Sequence, residues 1–164
     1  MKLIWTKNNQ PLSIAIRSTL KEPVSHFGIV FDNGIVFHSN LLGTHIEWYG
    51  SFIKKCDTVY SIDYTMSLEE EEAVYLNILN TYDGVGYDYG ALFYFAYRGL
   101  LYKIANIEFP KTNKFQSSSK LLCTELAGCL PDNIVSANIK NEDLSIISPY
   151  KLYLKISKNR TERI

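Results

Sequence analysis

Cysteine is scarce in this chain, and the few cysteines follow no metal-binding or disulfide pattern. The 164 residues include only Cys56, Cys123 and Cys129, and no two of them form a Cys-x-x-Cys pair. An odd number of widely spaced cysteines favours neither a disulfide framework nor a zinc knuckle. We therefore expect a protein of a reduced compartment with no bound metal.

An excess of charge of one sign is also absent. Lysine and arginine together number 17, aspartate and glutamate together number 17, and the formal net charge is zero. A neutral chain has no overall field that would attract a polyanion or an anionic membrane surface. We therefore expect no nucleic-acid partner.

Long apolar runs are missing as well. The longest, Tyr89–Ala105, is interrupted by Arg98 and Lys103 and is shorter than the roughly 20 residues that span a bilayer. The N-terminal stretch MKLIWTKNNQPLS has too short an apolar run for a secretory signal. These absences predict a cytoplasmic protein with no integral membrane segment. For Tyr89–Ala105 we expect a buried or half-buried helix, and we rank a central core position ahead of the lining of a hydrophobic channel.

What the sequence does contain is a β-rich first third. Short segments rich in β-branched and aromatic residues are separated by polar or turn-forming ones: KLIW, LSIAIRS, HFGIVF, GIVFHS, THIEW and VYSIDY. Together they predict a small, mostly antiparallel sheet.

Helical signals dominate the rest of the chain. Ser67 followed three residues later by Glu70 is a capping box before a run of helical periodicity, and a second helix is predicted from about Asp88 to Asn106. The segment KLLCTELAGCL predicts a short helix that ends before Pro131. With no internal repeat and no long linker, we predict one α+β domain over residues 1–164, with the sheet first and the cysteine-bearing helix late.

Cys123 is the cysteine best placed to act as a nucleophile. A thiol is nucleophilic as the thiolate, which a helix N-terminus or a nearby cation stabilises. Cys123 opens the predicted helix and lies close to Lys120, so we expect a lowered pKa. Cys129 lies at the opposite end of that helix, and Cys56 belongs to no clear helix start. The alternative is that Cys123 is a small buried core residue.

Two of the three histidines flank a predicted hairpin. His26 and His38 stand on either side of a DNG turn. A two-residue turn would point them to opposite faces of the sheet. A three-residue loop with Gly34 at positive φ would place Gly28 opposite His38 and both histidines on one face, as a base and the group that orients it. We predict the three-residue loop, and expect His45, which has no such pattern, to be structural or exposed.

These features together resemble a known family. The stretch SHFGIVFDNGIVFHSNLLGTHIEW, followed far downstream by LLCTELAGCL, is similar to the circularly permuted papain-like cysteine hydrolases of the NlpC type, which include the lecithin retinol acyltransferase-like enzymes. The resemblance implies that Cys123 is the nucleophile, His26 the base and His38 the residue that orients it. It implies that Tyr87 lies near the oxyanion site, with Tyr89 as a close competitor. It implies no metal or organic cofactor.

The resemblance also implies acyl transfer from a peptide or acyl substrate through a thioester. We expect a peptidase or amidase, for example one acting on cell-wall peptides, ahead of a lipid acyl hydrolase or acyltransferase. A protein that keeps the fold and only binds is a further alternative. The pair Thr124-Glu125 departs from the Ser-Gly that follows the cysteine in many relatives, which leaves the substrate class open. No oligomeric state is predicted.

Overall fold

The chain forms a five-stranded antiparallel sheet with helices around it. The computed structural model describes residues 1–108 and 110–161, so Phe109 and positions 162–164 of the predicted domain lie outside the described residues. Within the described ranges the sheet strands are β1 Lys2–Lys7, β2 His26–Val30, β3 Ile35–Asn40, β4 Gly43–Trp48 and β5 Asp57–Asp63. Their order is β4-β3-β2-β1-β5, and every neighbouring pair is antiparallel.

Short strands and helices complete the architecture. A parallel pair joins β6 Gly86–Tyr87 to β7 Lys120–Leu121. The α-helices of the described residues are α1 Pro11–Leu20, α2 Tyr49–Phe52, α3 Leu68–Tyr82, α4 Tyr89–Ala105, α5 Ala137–Lys140 and α6 Pro149–Thr161. Two 3₁₀ helices are Cys123–Cys129, here called the cysteine helix, and Leu144–Ile146. The predicted α+β class is confirmed.

The predicted starts of the two long helices are also confirmed. At α3, Ser67 Oγ accepts the Glu70 N–H at 3.2 Å, and the Glu70 carboxylate accepts the Ser67 N–H at 2.8 Å. At α4, Asp88 Oδ1 accepts the Ala91 N–H at 2.9 Å, and Asn106 ends the helix in the left-handed conformation with φ 52°. Both caps satisfy helix N–H or C=O groups that would otherwise lack partners.

The segment LSIAIRS, predicted as a strand, is part of a helix, so that prediction was wrong. Pro11 occupies the first turn of α1, where its fixed φ suits a helix and its missing N–H is not needed. Leu12 and Ile16 lie four residues apart and therefore share a helix face, although the letters LSIAI also alternate as in a strand. Ser13 accepts the Asn8 N–H at 3.1 Å and ties the helix start to the end of β1.

Alternate residues of the strands divide the sheet into two faces. The main core lies on one face, where Trp5, Phe27 and Leu126 are fully buried among side chains of the cysteine helix and α6. The opposite face carries a smaller apolar cluster that includes Ile4 and Phe52. On this second face the register also places a polar group, here called the histidine face: Thr6, His26, His38, His45 and Glu47.

Helix α4 is half-buried, which agrees with the expected buried or half-buried helix, but the central core position that was ranked first was wrong. Its buried side consists of Ala91, Tyr94, Phe95 and Gly99. On the other side Phe93 is 76% exposed and Ile104 is 74% exposed, because only one side of the helix packs on the rest of the chain. None of the described helices is both long and apolar enough to cross a membrane.

Candidate active site

The hairpin between β2 and β3 has the loop that places both histidines on one face. The Phe31 N–H donates to the Ile35 carbonyl at 2.9 Å and closes a three-residue loop in which Gly34 has φ 82°. The register puts Gly28 opposite His38. The predicted turn is therefore confirmed.

His26 and His38 are in direct contact. The Nε2 atom of His26 lies 3.1 Å from the Nδ1 atom of His38, and the rings are nearly perpendicular, at 87°. His38 is buried, and His26 is half-buried at the head of β2. Since this contact uses Nε2 of His26, its Nδ1 atom remains for another partner.

Two side chains of β4 extend this contact, and the sequence interpretation missed both. His45 lies opposite His38, with ring centroids 4.5 Å apart, a pairing that the sequence pattern did not indicate. Glu47 Oε1 lies 3.3 Å from His38 Nε2, and Glu47 Oε2 pairs with Lys55 Nζ at 2.5 Å. The signal that could have found them is the two-residue LL turn after β3, because it aligns β4 with β3 so that both side chains fall on the histidine face.

The Cys123 thiol lies against the strand that carries His26. Cys123 is the first residue of the cysteine helix and is 8% exposed. The β2–β3 ladder ends at Gly28 and His38, and beyond it the Phe27 N–H donates to the thiol. The thiol therefore lies near the peptide that joins His26 to Phe27, on the core side of the sheet. Its hydrogen-bond partners in the described residues are backbone N–H groups, and the His26 ring is not one of them.

Burial overturns the lowered thiol pKa that the sequence predicts. Burial raises the pKa of Cys123 to about 11, although backbone N–H groups at the helix start stabilise the thiolate. The expectation was wrong because desolvation outweighs the helix terminus, and Lys120 is exposed on β7. Burial, followed by the neighbouring His38, lowers the pKa of His26 to about 3. Thiol and imidazole are therefore both neutral at pH 7.

Of the two candidate tyrosines, Tyr87 is the one beside the thiol. Tyr87 is buried and borders the same cavity as the histidines. Burial, and then the nearby Cys123, raises the pKa of Tyr87 well above its ordinary value, so its hydroxyl stays protonated and can donate. Tyr89 is 55% exposed, and its hydroxyl donates to the Leu41 carbonyl instead.

Thr124 and Glu125 anchor the cysteine helix. The Thr124 hydroxyl donates to the Leu144 carbonyl at 2.9 Å, and the Glu125 carboxylate accepts the Leu122 N–H at 2.6 Å and the Gln116 amide. Burial raises the pKa of Glu125 to about 7. Thr124 and Glu125, which stand where many relatives of the resembled family have Ser-Gly, therefore hold the cysteine helix in place in this chain.

A cavity of about 430 Å³ opens on the histidine face, within the usual size range of small-molecule sites. Its walls mix apolar and polar side chains from α1, the β3–β4 turn and the strands, among them Leu12, Ile16, Ser25, His26, His38, Asn40, Leu42 and Tyr87.

Cys56 also lines this cavity, where it is half-buried and donates to the Phe52 carbonyl at 3.3 Å. Burial raises the pKa of Cys56. Cys56 is thus a second thiol near the histidines, which experiments must separate from Cys123.

The polar side chains around this cavity are imidazole, hydroxyl, amide and thiol groups, together with the Glu47 carboxylate and the Lys55 ammonium group. In the part of the chain that the structure describes, no group of three or more His, Cys, Asp or Glu side chains is placed to hold a metal ion. Comparison with known proteins finds no matching family model, no matching curated protein and no matching solved structure.

Proposed function

We propose that the protein is a cysteine hydrolase of amide bonds with the circularly permuted papain-like fold of the NlpC type. The observation that carries the proposal is the His26–His38 contact, with the Cys123 thiol held against the peptide after His26. Nucleophilic acyl transfer requires a base that is fixed at its far nitrogen by a polar partner, and a thiol at a helix start is a suitable nucleophile for it. The order of elements, sheet first and cysteine helix late, supports the permuted form.

In the proposed reaction, His26 is the general base through Nδ1. The ring takes the S–H proton as the Cys123 sulfur attacks the substrate carbonyl carbon, a contact that tightens when substrate binds. The oxyanion accepts hydrogen bonds from the Cys123 N–H and the Tyr87 hydroxyl. His26 then gives the proton to the leaving amine as the carbon–nitrogen bond breaks, which leaves a thioester on Cys123.

Water completes the cycle. His26 removes a proton from water as the oxygen attacks the thioester carbonyl, and the acid product leaves as sulfur recovers the proton. Because Cys123 and His26 are neutral at pH 7, proton transfer accompanies sulfur attack in this mechanism. No step needs a metal or an organic cofactor.

An amide substrate is favoured by the polar part of the cavity wall. Ser25, Asn8 and Asn40 offer hydroxyl and amide groups that can bond the N–H and C=O groups of a peptide. The test is amine release from a peptide panel that includes bacterial cell-wall peptides. Cys123→Ser should abolish release, and Cys56→Ser, the matched control, should retain it. Loss with Cys56→Ser and retention with Cys123→Ser would overturn the assignment of the nucleophile.

One observation favours a second candidate, a lipid acyl hydrolase or acyltransferase. An apolar stripe runs along the exposed side of α4, beside the exposed Lys103: Phe93, Tyr97, Leu100 and Ile104. This side begins next to Tyr89, whose hydroxyl donates to the Leu41 carbonyl at the cavity wall. An acyl chain could therefore extend from the cavity onto the exposed side of α4. Fatty-acid release from phospholipid vesicles without amine release from peptides would favour this candidate. Neither release would favour a binding protein.

A further inference from the structure

We propose that Glu47 is a positioning residue that fixes the tautomers of His38 and His26 and so keeps Nδ1 of His26 free of a proton. The inference rests on the proposed function and deepens it. It extends the pair of histidines by one acidic side chain on β4.

The geometry places His38 between two groups. His38 is 2% exposed, and its Nδ1 atom lies 3.1 Å from Nε2 of His26. Its Nε2 atom has no well-aligned hydrogen bond within the described residues, and the Glu47 carboxylate oxygen at 3.3 Å faces it. A small rotation of Glu47 completes that hydrogen bond, while Lys55 holds the other carboxylate oxygen at 2.5 Å.

The chemistry of the three groups leaves one consistent arrangement of protons. A neutral imidazole carries one N–H and one lone pair, and a carboxylate only accepts. His38 therefore carries its proton on Nε2, toward Glu47, since the other tautomer would aim a lone pair at a carboxylate oxygen in a buried site. Its Nδ1 then accepts from the Nε2–H of His26. The remaining nitrogen of His26, Nδ1, is a lone pair that can accept the thiol proton.

The other groups that face His38 do not decide its tautomer. The His45 ring is 4.5 Å from that of His38, and its Nδ1–H donates to the Gly43 carbonyl at 3.1 Å. The Phe52 ring, 4.9 Å away, covers another side and offers no hydrogen bond. Burial lowers the pKa of both His26 and His38 to about 3, so the rings are neutral near pH 7 and the tautomer is the relevant variable.

The experiment is ¹⁵N NMR of the imidazole nitrogens in the full chain near pH 7, which is simple because the protein has three histidines. We expect Nε2–H tautomers for both His26 and His38 in the unmodified protein. In Glu47→Leu we expect mixed tautomers and acylation of Cys123 slowed by at least about tenfold. The loss should stay below about 10⁴-fold, which is the loss in rate when a catalytic triad is held in the wrong tautomer. The matched control, Glu142→Leu, removes an exposed carboxylate–lysine pair and should change neither.

Conservative replacement adds a rescue test. Glu47→Gln can still present an oxygen to His38 Nε2 and should restore the Nε2–H tautomers and most of the rate. An Nδ1–H tautomer of His26 in the unmodified protein, or unchanged tautomers in Glu47→Leu, would overturn the proposal. The spectrum of the unmodified protein can overturn the proposal even where Glu47→Leu fails to fold, and Glu47→Ala, a smaller change, then replaces that variant. The spectra need no substrate, so they still test the proposal where none is turned over, in which case the proposed function alone fails.

Discussion

At the residue scale, the two histidines in contact have unequal roles in the proposed reaction. We expect His26→Ala to slow acylation of Cys123 by about 10²–10⁴-fold, the usual contribution of a general base. His38→Asn keeps an oxygen that can accept from His26 Nε2 and should cost little, whereas His38→Leu removes that acceptor and should cost more. The measurement is the single-turnover rate with a peptide p-nitroanilide. Rate losses that only follow losses in melting temperature would make both histidines packing residues.

The raised pKa of Cys123 predicts two different pH profiles. Alkylation by iodoacetamide needs the thiolate, so its rate should rise about tenfold per pH unit up to pH 9 and beyond. Acylation by substrate uses neutral His26 as the base, so its rate should change little between pH 5 and 8, since the pKa of His26 lies at about 3. Both rates are measured on Cys56→Ser protein. An alkylation rate that levels off by pH 7 would mean that Cys123 is already a thiolate there, and would contradict a neutral Cys123 and a neutral His26.

Glu125 predicts an effect of pH on stability rather than on rate. Burial raises its pKa from 4.5 to about 7, so between these values the unfolded chain loses a proton that the folded protein keeps. The contribution of Glu125 to the free energy of unfolding is therefore fully present below pH 4.5 and is lost as the pH rises through 7. We expect the stability of the unmodified protein relative to Glu125→Gln to fall from pH 5 to pH 8 in urea unfolding. A difference independent of pH would contradict the buried, protonated carboxyl.

At the scale of secondary structure, the β2–β3 loop decides which face the histidines occupy. Gly34 has φ 82°, a conformation that costs a residue with a Cβ about 1–2 kcal/mol. We expect Gly34→Ala to lower the free energy of unfolding by that amount. Gly50→Ala, in α2 and with open space around it, should be neutral or slightly stabilising. Equal effects in urea unfolding would mean that the loop conformation does not hold the register.

Elements with one clear local signal could be predicted from the sequence, and ambiguous ones could not. The capping box of Ser67 and Glu70 marks the start of α3 because both partners lie within one turn. The segment LSIAIRS satisfies strand and helix periods together, and only Pro11 indicates the helix. The cysteine helix is a 3₁₀ helix, which its composition does not distinguish from an α-helix.

At the scale of the whole molecule, the part of the site set by local geometry was predictable and the part set by distant packing was not. The DNG turn predicts the His26–His38 contact because loop length fixes the register. The burial of the Cys123 thiol depends on core side chains from distant segments, such as Phe27. Its raised pKa therefore could not be predicted from its neighbours in sequence. The half-exposure of α4 likewise depends on what packs against it.

The central claim is that Cys123 becomes acylated with His26 as its base. The most direct measurement is the mass of the whole protein, quenched during reaction with an ester of a short peptide, followed by mapping of the modified residue. We predict one acyl group on Cys123, present in Cys56→Ser and absent in His26→Ala and Cys123→Ala. An acyl group on Cys56, or one on Cys123 that forms equally fast in His26→Ala, would contradict the account.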